Sequence, residues 1–137
     1  MIGWVYGFGY FLSNLYWISN SLRFDENFDN LIIFSIIIIP FFLSIFYGLF
    51  SILLKFFNIK MNLSSILIFS LIISIFEYLR GIIFGGFPWN LISFSLIEFT
   101  STLQLLSLIG TYSFNLLTIT FYCLPIIIFF KISNATK

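Results

Sequence analysis

Long stretches of this chain carry no charge, and that fact limits what it can fold into. From Leu31 to Leu54 there is no Asp, Glu, Lys or Arg, and similar apolar runs fill most of the 137 residues. A helix that crosses the roughly 30 Å hydrocarbon core of a bilayer needs about 20 mostly apolar residues. Only 8% of residues are charged, 61% are hydrophobic, 21 are Phe and the mean hydropathy is +1.12, far from a soluble globular domain. The expected fold class is all-α: a polytopic membrane helix bundle of about four transmembrane helices, forming a single transmembrane domain over 1–137.

Four runs suit such spans. The first covers about 2–22 and is closed by Arg23, Asp25, Glu26 and Asp29. The second covers 31–54 and is closed by Lys55 and Lys60. The third covers 61–84, with Asn62 and Ser64 available as caps at its start and Gly85-Gly86 to break it at its end. The fourth covers 103–130, with Lys131 and Lys137 beyond it, and 85–100 forms an outer loop whose part Leu91 to Thr100 suits an interfacial or half-inserted piece. Pro40 and Pro125 lie inside the second and fourth runs, where each removes one backbone donor.

Four crossings put Lys55, Lys60, Lys131 and Lys137 on one face, and Arg23, Arg80 and the acidic Asp25, Glu26 and Asp29 on the other. Because positive residues near helix ends stay inside, the N-terminus is expected to be cytoplasmic and the loop around Trp89 outside. A net charge of +1 with no basic patch sets nucleic acid aside. The first run has no basic flank and contains Trp4, Tyr6, Tyr10, Asn14 and Trp17, so it reads as a structural span and not as a cleaved signal.

Two stripes recur at helical spacing. Gly3, Gly7, Tyr10, Asn14, Trp17 and Ser21 share one face of the first run, as a helix-packing seam or a substrate-facing groove. Gln104, Ser107, Thr111, Asn115, Thr118 and Tyr122 share one face of the fourth, which should meet protein or water.

The chemistry available is narrow. There is no His, which excludes an imidazole base and a His-based triad, and the single Cys123 lies mid-span, where apolar burial keeps a thiol inert. No catalytic residue, metal ligand or cofactor is assigned. What stands out is Glu77 with Arg80, three residues apart on one helical face. At about 1.5 Å per residue from Met61, Glu77 lies roughly 24 Å along its helix, in the outer part of the core. The pair either neutralises itself in an apolar setting or forms an anion site, with Arg80 presenting a planar fork to a phosphate and Glu77 holding it. The following Gly85-Gly86-Phe87-Pro88-Trp89 favours the second: glycines permit a tight turn, proline stiffens it and Trp belongs at the interface.

These residues resemble a known family, the apolipoprotein N-acyltransferases of bacterial inner membranes. The matches run in order: Gly7-Phe8-Gly9-Tyr10-Phe11 with Trp17 and Ser21; Glu77-Tyr78-Leu79-Arg80-Gly81; Gly86-Phe87-Pro88-Trp89; Gln104; and Gly110-Thr111-Tyr112 with Asn115. Gly85 departs from the Thr of many members, and Ser113 is a milder departure. The resemblance implies an eight-span enzyme whose nitrilase-like outer domain supplies a Glu, Lys and Cys triad. The present chain would match the third to sixth spans only, as a fragment without that domain, and none of its residues is carried onto the triad. It also implies a cysteine thiolate that takes an acyl chain from a phospholipid and passes it to the N-terminal diacylglyceryl-cysteine of a lipoprotein acceptor. Gly86, Phe87, Pro88 and Trp89 would line the outer loop near where lipid enters, with Glu77 and Arg80 beneath, and a separate nitrilase-like catalytic piece is an expected partner. The alternative is a small non-catalytic membrane protein such as a transporter or channel subunit, for which Glu77 and Glu98 are the candidate charges.

The orientation is open to test by cysteine-accessibility labelling. A cysteine at position 58 should react from the cytoplasm, and cysteines at 27 and 90 from outside; labelling of position 58 from outside overturns it.

Overall fold

The computed structural model describes residues 2–24, 29–57 and 62–135, and among these it is helical with no strand. It divides into two compact units, Met1–Phe56 and Phe57–Lys137. Of the charges that frame the expected orientation, Asp25, Glu26, Lys60 and Lys137 lie outside the described residues, as do the side chains of Asp29 and Lys131.

The first unit pairs α1 (Ile2–Leu15) with α2 (Asp29–Leu54), joined through a 3-10 segment, Tyr16–Phe24. Gly3 and Gly7 let the two backbones approach: a methyl on Gly7 would lie 2.7 Å from Tyr47 Cβ, and one on Gly3 would collide with Ser51. Around this contact Phe11, Leu15, Leu43, Tyr47 and Phe50 are buried, with the Phe11 and Tyr47 rings edge to face at 5.5 Å. The expected stripe on the first run therefore holds only in its first half. Asn14, Trp17 and Ser21 are exposed; for Trp17 and Ser21 the 3.6-residue register has ended where the 3-10 segment begins at Tyr16. The Asn14 amide turns back to its own helix, donating to the Tyr10 carbonyl at 2.8 Å. α2 continues through Pro40.

The second unit contains α3 (Leu63–Ile83), a short 3-10 segment Ile92–Leu96, α4 (Thr100–Ile109) and α5 (Thr111–Ala135). Asn62 caps α3 as expected, its Oδ1 accepting from Ser65 N at 2.9 Å. α3 ends at Gly85 and Gly86, whose φ angles are +81° and +80°. Gly86 N donates to Gly81 O at 2.7 Å and Gly85 N to Ile82 O at 3.3 Å, the paired bonds of a Schellman ending. The expected 103–130 run is two helices, not one. Gly110, at φ +81°, breaks it, so Gln104 and Ser107 on α4 are exposed while Asn115 and Thr118 on α5 are buried.

Among the described residues two helices, Asn30–Leu54 and Leu63–Ile83, are long and apolar enough to cross a membrane. Thr100–Ile109 and Thr111–Ile127 are shorter apolar stretches. α2 leaves Ile33, Phe34, Ile37, Ile38, Phe41 and Phe42 exposed, a surface suited to lipid and not to water.

The α1–α2 contact yields a paired prediction. Gly7→Ala should destabilise the unit by about 1–3 kcal/mol through overpacking. Gly9→Ala, whose methyl meets nothing within 4 Å, should be neutral or stabilising by about 0.5–1 kcal/mol. Unfolding by SDS titration distinguishes them, and equal effects would contradict the close approach.

Candidate functional site: a buried acid-base pair beneath an exposed loop

The inward face of α3 is polar where the rest of the helix is apolar. Ser70, Ser74, Glu77, Arg80 and Gly81 recur at steps of three and four and are all buried. Gly81 is glycine for a steric reason: a methyl there would strike the hydroxyl of Tyr112, which stands on α5 with its ring edge to face against Tyr78 at 5.1 Å. Arg80 occupies the last turn of α3, where a cation complements the partial negative charge of the helix end.

Glu77 is 1% exposed and Arg80 0%. A charge in such a place is tolerated only when it is paired and hydrogen-bonded. Glu77 Oε1 lies 3.9 Å from Arg80 Nη2, and the same Nη2 donates to the carbonyl oxygen of Trp89 at 2.5 Å. On its other side Glu77 Oε2 accepts from Asn115 Nδ2. Asn115 Oδ1 in turn accepts the backbone N–H of Ser93 at 3.0 Å. A chain of polar contacts thus links α3, α5 and both ends of the segment Trp89–Ser93.

The loop above the pair is shaped by its backbone. Beyond Gly85 and Gly86, Asn90 takes φ +44°, a left-handed conformation that Asn tolerates better than most residues. Trp89 N donates to Phe87 O at 2.9 Å, and the Phe87 and Trp89 rings meet edge to face at 5.0 Å. Phe87 is 48% exposed and Gly86 is exposed, Pro88 and Trp89 are half-buried, and Leu91 and Ser93 are buried. The loop turns Phe87 outward and anchors itself inward through the Trp89 carbonyl, Leu91 and Ser93.

All six residues singled out from the sequence, Glu77, Arg80, Gly86, Phe87, Pro88 and Trp89, belong to this one assembly. Their arrangement differs from a fork turned toward a headgroup: the Arg80 guanidinium is enclosed and holds the loop by a backbone carbonyl. Three participants were not singled out as site residues: Asn115, which the stripe reading placed on an inward face without a role, Ser93 and Tyr112. Glu98 is exposed, so it and Glu77 do not form a buried pair of carboxylates as a conduction path would use. Among the described residues no group of three or more His, Cys, Asp or Glu could hold a metal ion. Cys123 is half-buried on α5. The assembly can position a loop and exchange hydrogen bonds; it presents no activated nucleophile.

A family model described as "Apolipoprotein N-acyltransferase N-terminal domain" matches residues 1–124. Curated relatives called apolipoprotein N-acyltransferase include one from Brucella melitensis, 33% identical over 125 residues, which cover 90% of this chain and 23% of the relative. Another, from Rhodopseudomonas palustris, is 35% identical over 131 residues, covering 93% of this chain and 24% of the relative. The chain thus spans about a quarter of the length of these relatives. No solved structure matches it.

The packing at Gly81 gives a local test. Gly81→Ala should cost about 1–3 kcal/mol through overpacking against Tyr112, and less in a Tyr112→Phe background, where the hydroxyl met first is gone. Additive effects in an unfolding double-mutant cycle would contradict the contact.

Proposed function

The chain belongs to the apolipoprotein N-acyltransferase family through that N-terminal domain, and from this premise we propose that it is the membrane platform of such an acyltransferase. The reaction proposed moves an acyl chain from a phospholipid to the N-terminal diacylglyceryl-cysteine of a lipoprotein. The platform sits in the bacterial inner membrane with four crossings and a cytoplasmic N-terminus. Its crossings are α2, α3, α5 and the α1 segment with its 3-10 continuation. The observation that carries this reading is the Glu77–Arg80 pair fastening a loop from which Phe87, packed against the half-buried Trp89, is turned outward. An exposed apolar ring beside a Trp suits the boundary between the acyl chains and the headgroups of a bilayer, where Trp is enriched.

In this reading Gly86, Phe87, Pro88 and Trp89 form the surface that lipid meets, and Glu77 and Arg80 act from beneath by fixing it. Acyl transfer needs a nucleophile, a base and donors for the developing oxyanion. With no His and one half-buried thiol, these 137 residues supply a scaffold and a lipid-facing surface. The nucleophile comes from a nitrilase-like catalytic piece on another stretch of polypeptide, in the same or a separate chain.

The purified chain in phospholipid vesicles should therefore leave a diacylglyceryl peptide unacylated, and N-acylation by it alone would overturn the platform role. In a full-length relative, changes matching Arg80→Lys, Glu77→Gln and Trp89→Ala should each lower growth when the host's own acyltransferase is depleted. Lys in place of Arg loses the planar set of donors. Normal growth of all three at normal protein level would remove the loop from the function.

A further inference from the structure

Asn115 reaches from α5 to two other parts of its unit at once, and it is 0% exposed. Its two amide atoms do opposite work: Nδ2 donates to Glu77 Oε2 on α3, and Oδ1 accepts the Ser93 N–H at the far end of the loop. Few side chains could replace it. Leu, of similar size, would leave the Ser93 N–H and one Glu77 oxygen without these partners, and a buried unmade bond of that kind is costly. Gln offers the same groups one methylene further out.

Asn115 stands on α5 among buried apolar neighbours. Phe114 and Ile119 flank it at 5% and 3% exposure, and the Thr118 hydroxyl is satisfied within α5 by the Phe114 carbonyl at 2.9 Å. The loop is fastened at Trp89 by Arg80 and at Ser93 by Asn115, and both fastenings meet at the Glu77 carboxylate. We infer that Asn115 is a positioning residue: through Ser93 and Glu77 it sets the place of the 86–93 loop and of the Phe87–Trp89 edge. Its consequence for acyl transfer rests on the lipid-facing reading of that loop.

The hydrogen-bond geometry allows a reversal. In the pair Glu77→Gln with Asn115→Asp, the new amide at 77 donates to the new carboxylate at 115. That carboxylate still accepts the Ser93 N–H and keeps one negative charge beside Arg80. Donor and acceptor exchange places while net charge is unchanged.

The test uses the full chain in phosphatidylcholine vesicles with Trp4→Phe and Trp17→Phe, so that Trp89 is the sole tryptophan. Asn115→Leu should shift Trp89 emission to the red and raise its quenching by acrylamide, with helical circular dichroism unchanged. The reversed pair should return both to the parent values. Unchanged Trp89 emission and quenching in Asn115→Leu would overturn the inference, as would a reversed pair that behaves like Asn115→Leu. Loss of helicity in both would overturn it too, by making Asn115 a folding residue. A full-length relative separates the two readings. If Trp89 shifts in this chain but the matching Asn115→Leu change leaves acyl transfer intact, the positioning role stands and the lipid-facing reading fails.

Discussion

A carboxylate and a guanidinium placed together in apolar surroundings must have their polar atoms answered from nearby, because the solvent that would otherwise do so is absent. For Glu77 and Arg80, two of those answers come from elsewhere in the unit: the Trp89 carbonyl accepts from Arg80 Nη2, and the Asn115 amide donates to Glu77 Oε2. The geometry of the second unit follows from it. α3 must end where Arg80 can turn toward the loop, and the glycines at 85 and 86 provide that ending. α5 must run close enough for Asn115 to reach Glu77, and Gly81 leaves the room that Tyr112 takes on the same interface. Breaking such a pair by removing one partner is far costlier than the pair's net stabilising value, since a buried charge is left behind. The pair is better understood as a device of placement than as a source of stability.

What could be read in the sequence and what could not divide along a physical line. Features whose partners lie within a turn of helix were legible: Asn62 as a cap, Gly85-Gly86 as a stop, and Glu77 with Arg80 on one face. Features that depend on the helix staying regular over many residues were legible only in part. The first stripe lost Trp17 and Ser21 when α-helix gave way to 3-10 helix, and the second lost Gln104 and Ser107 when Gly110 broke the run. Least legible were partners that are backbone atoms. The Trp89 carbonyl and the Ser93 N–H have no side-chain signature, yet they decide that Arg80 faces inward and that Asn115 has work to do.

The first unit shows a different use of small residues. Gly3 and Gly7 stand one helical turn apart and admit Ser51 and Tyr47, so backbones approach where lipid gives no hydrophobic reason for helices to associate. Phe11 and Tyr47 then fill the space beside that contact. Close packing does there what hydrogen bonding does in the second unit.

Amide hydrogen exchange at Ser93, followed by NMR on the chain in detergent micelles, tests the central claim most directly. A loop end held by the Asn115 carbonyl should exchange its Ser93 N–H as slowly as the helical amides of α3, and should lose that protection when Asn115 is replaced by Leu. Exchange at Ser93 as fast as in an unstructured peptide would contradict a fastened loop, and with it the role given to the buried pair.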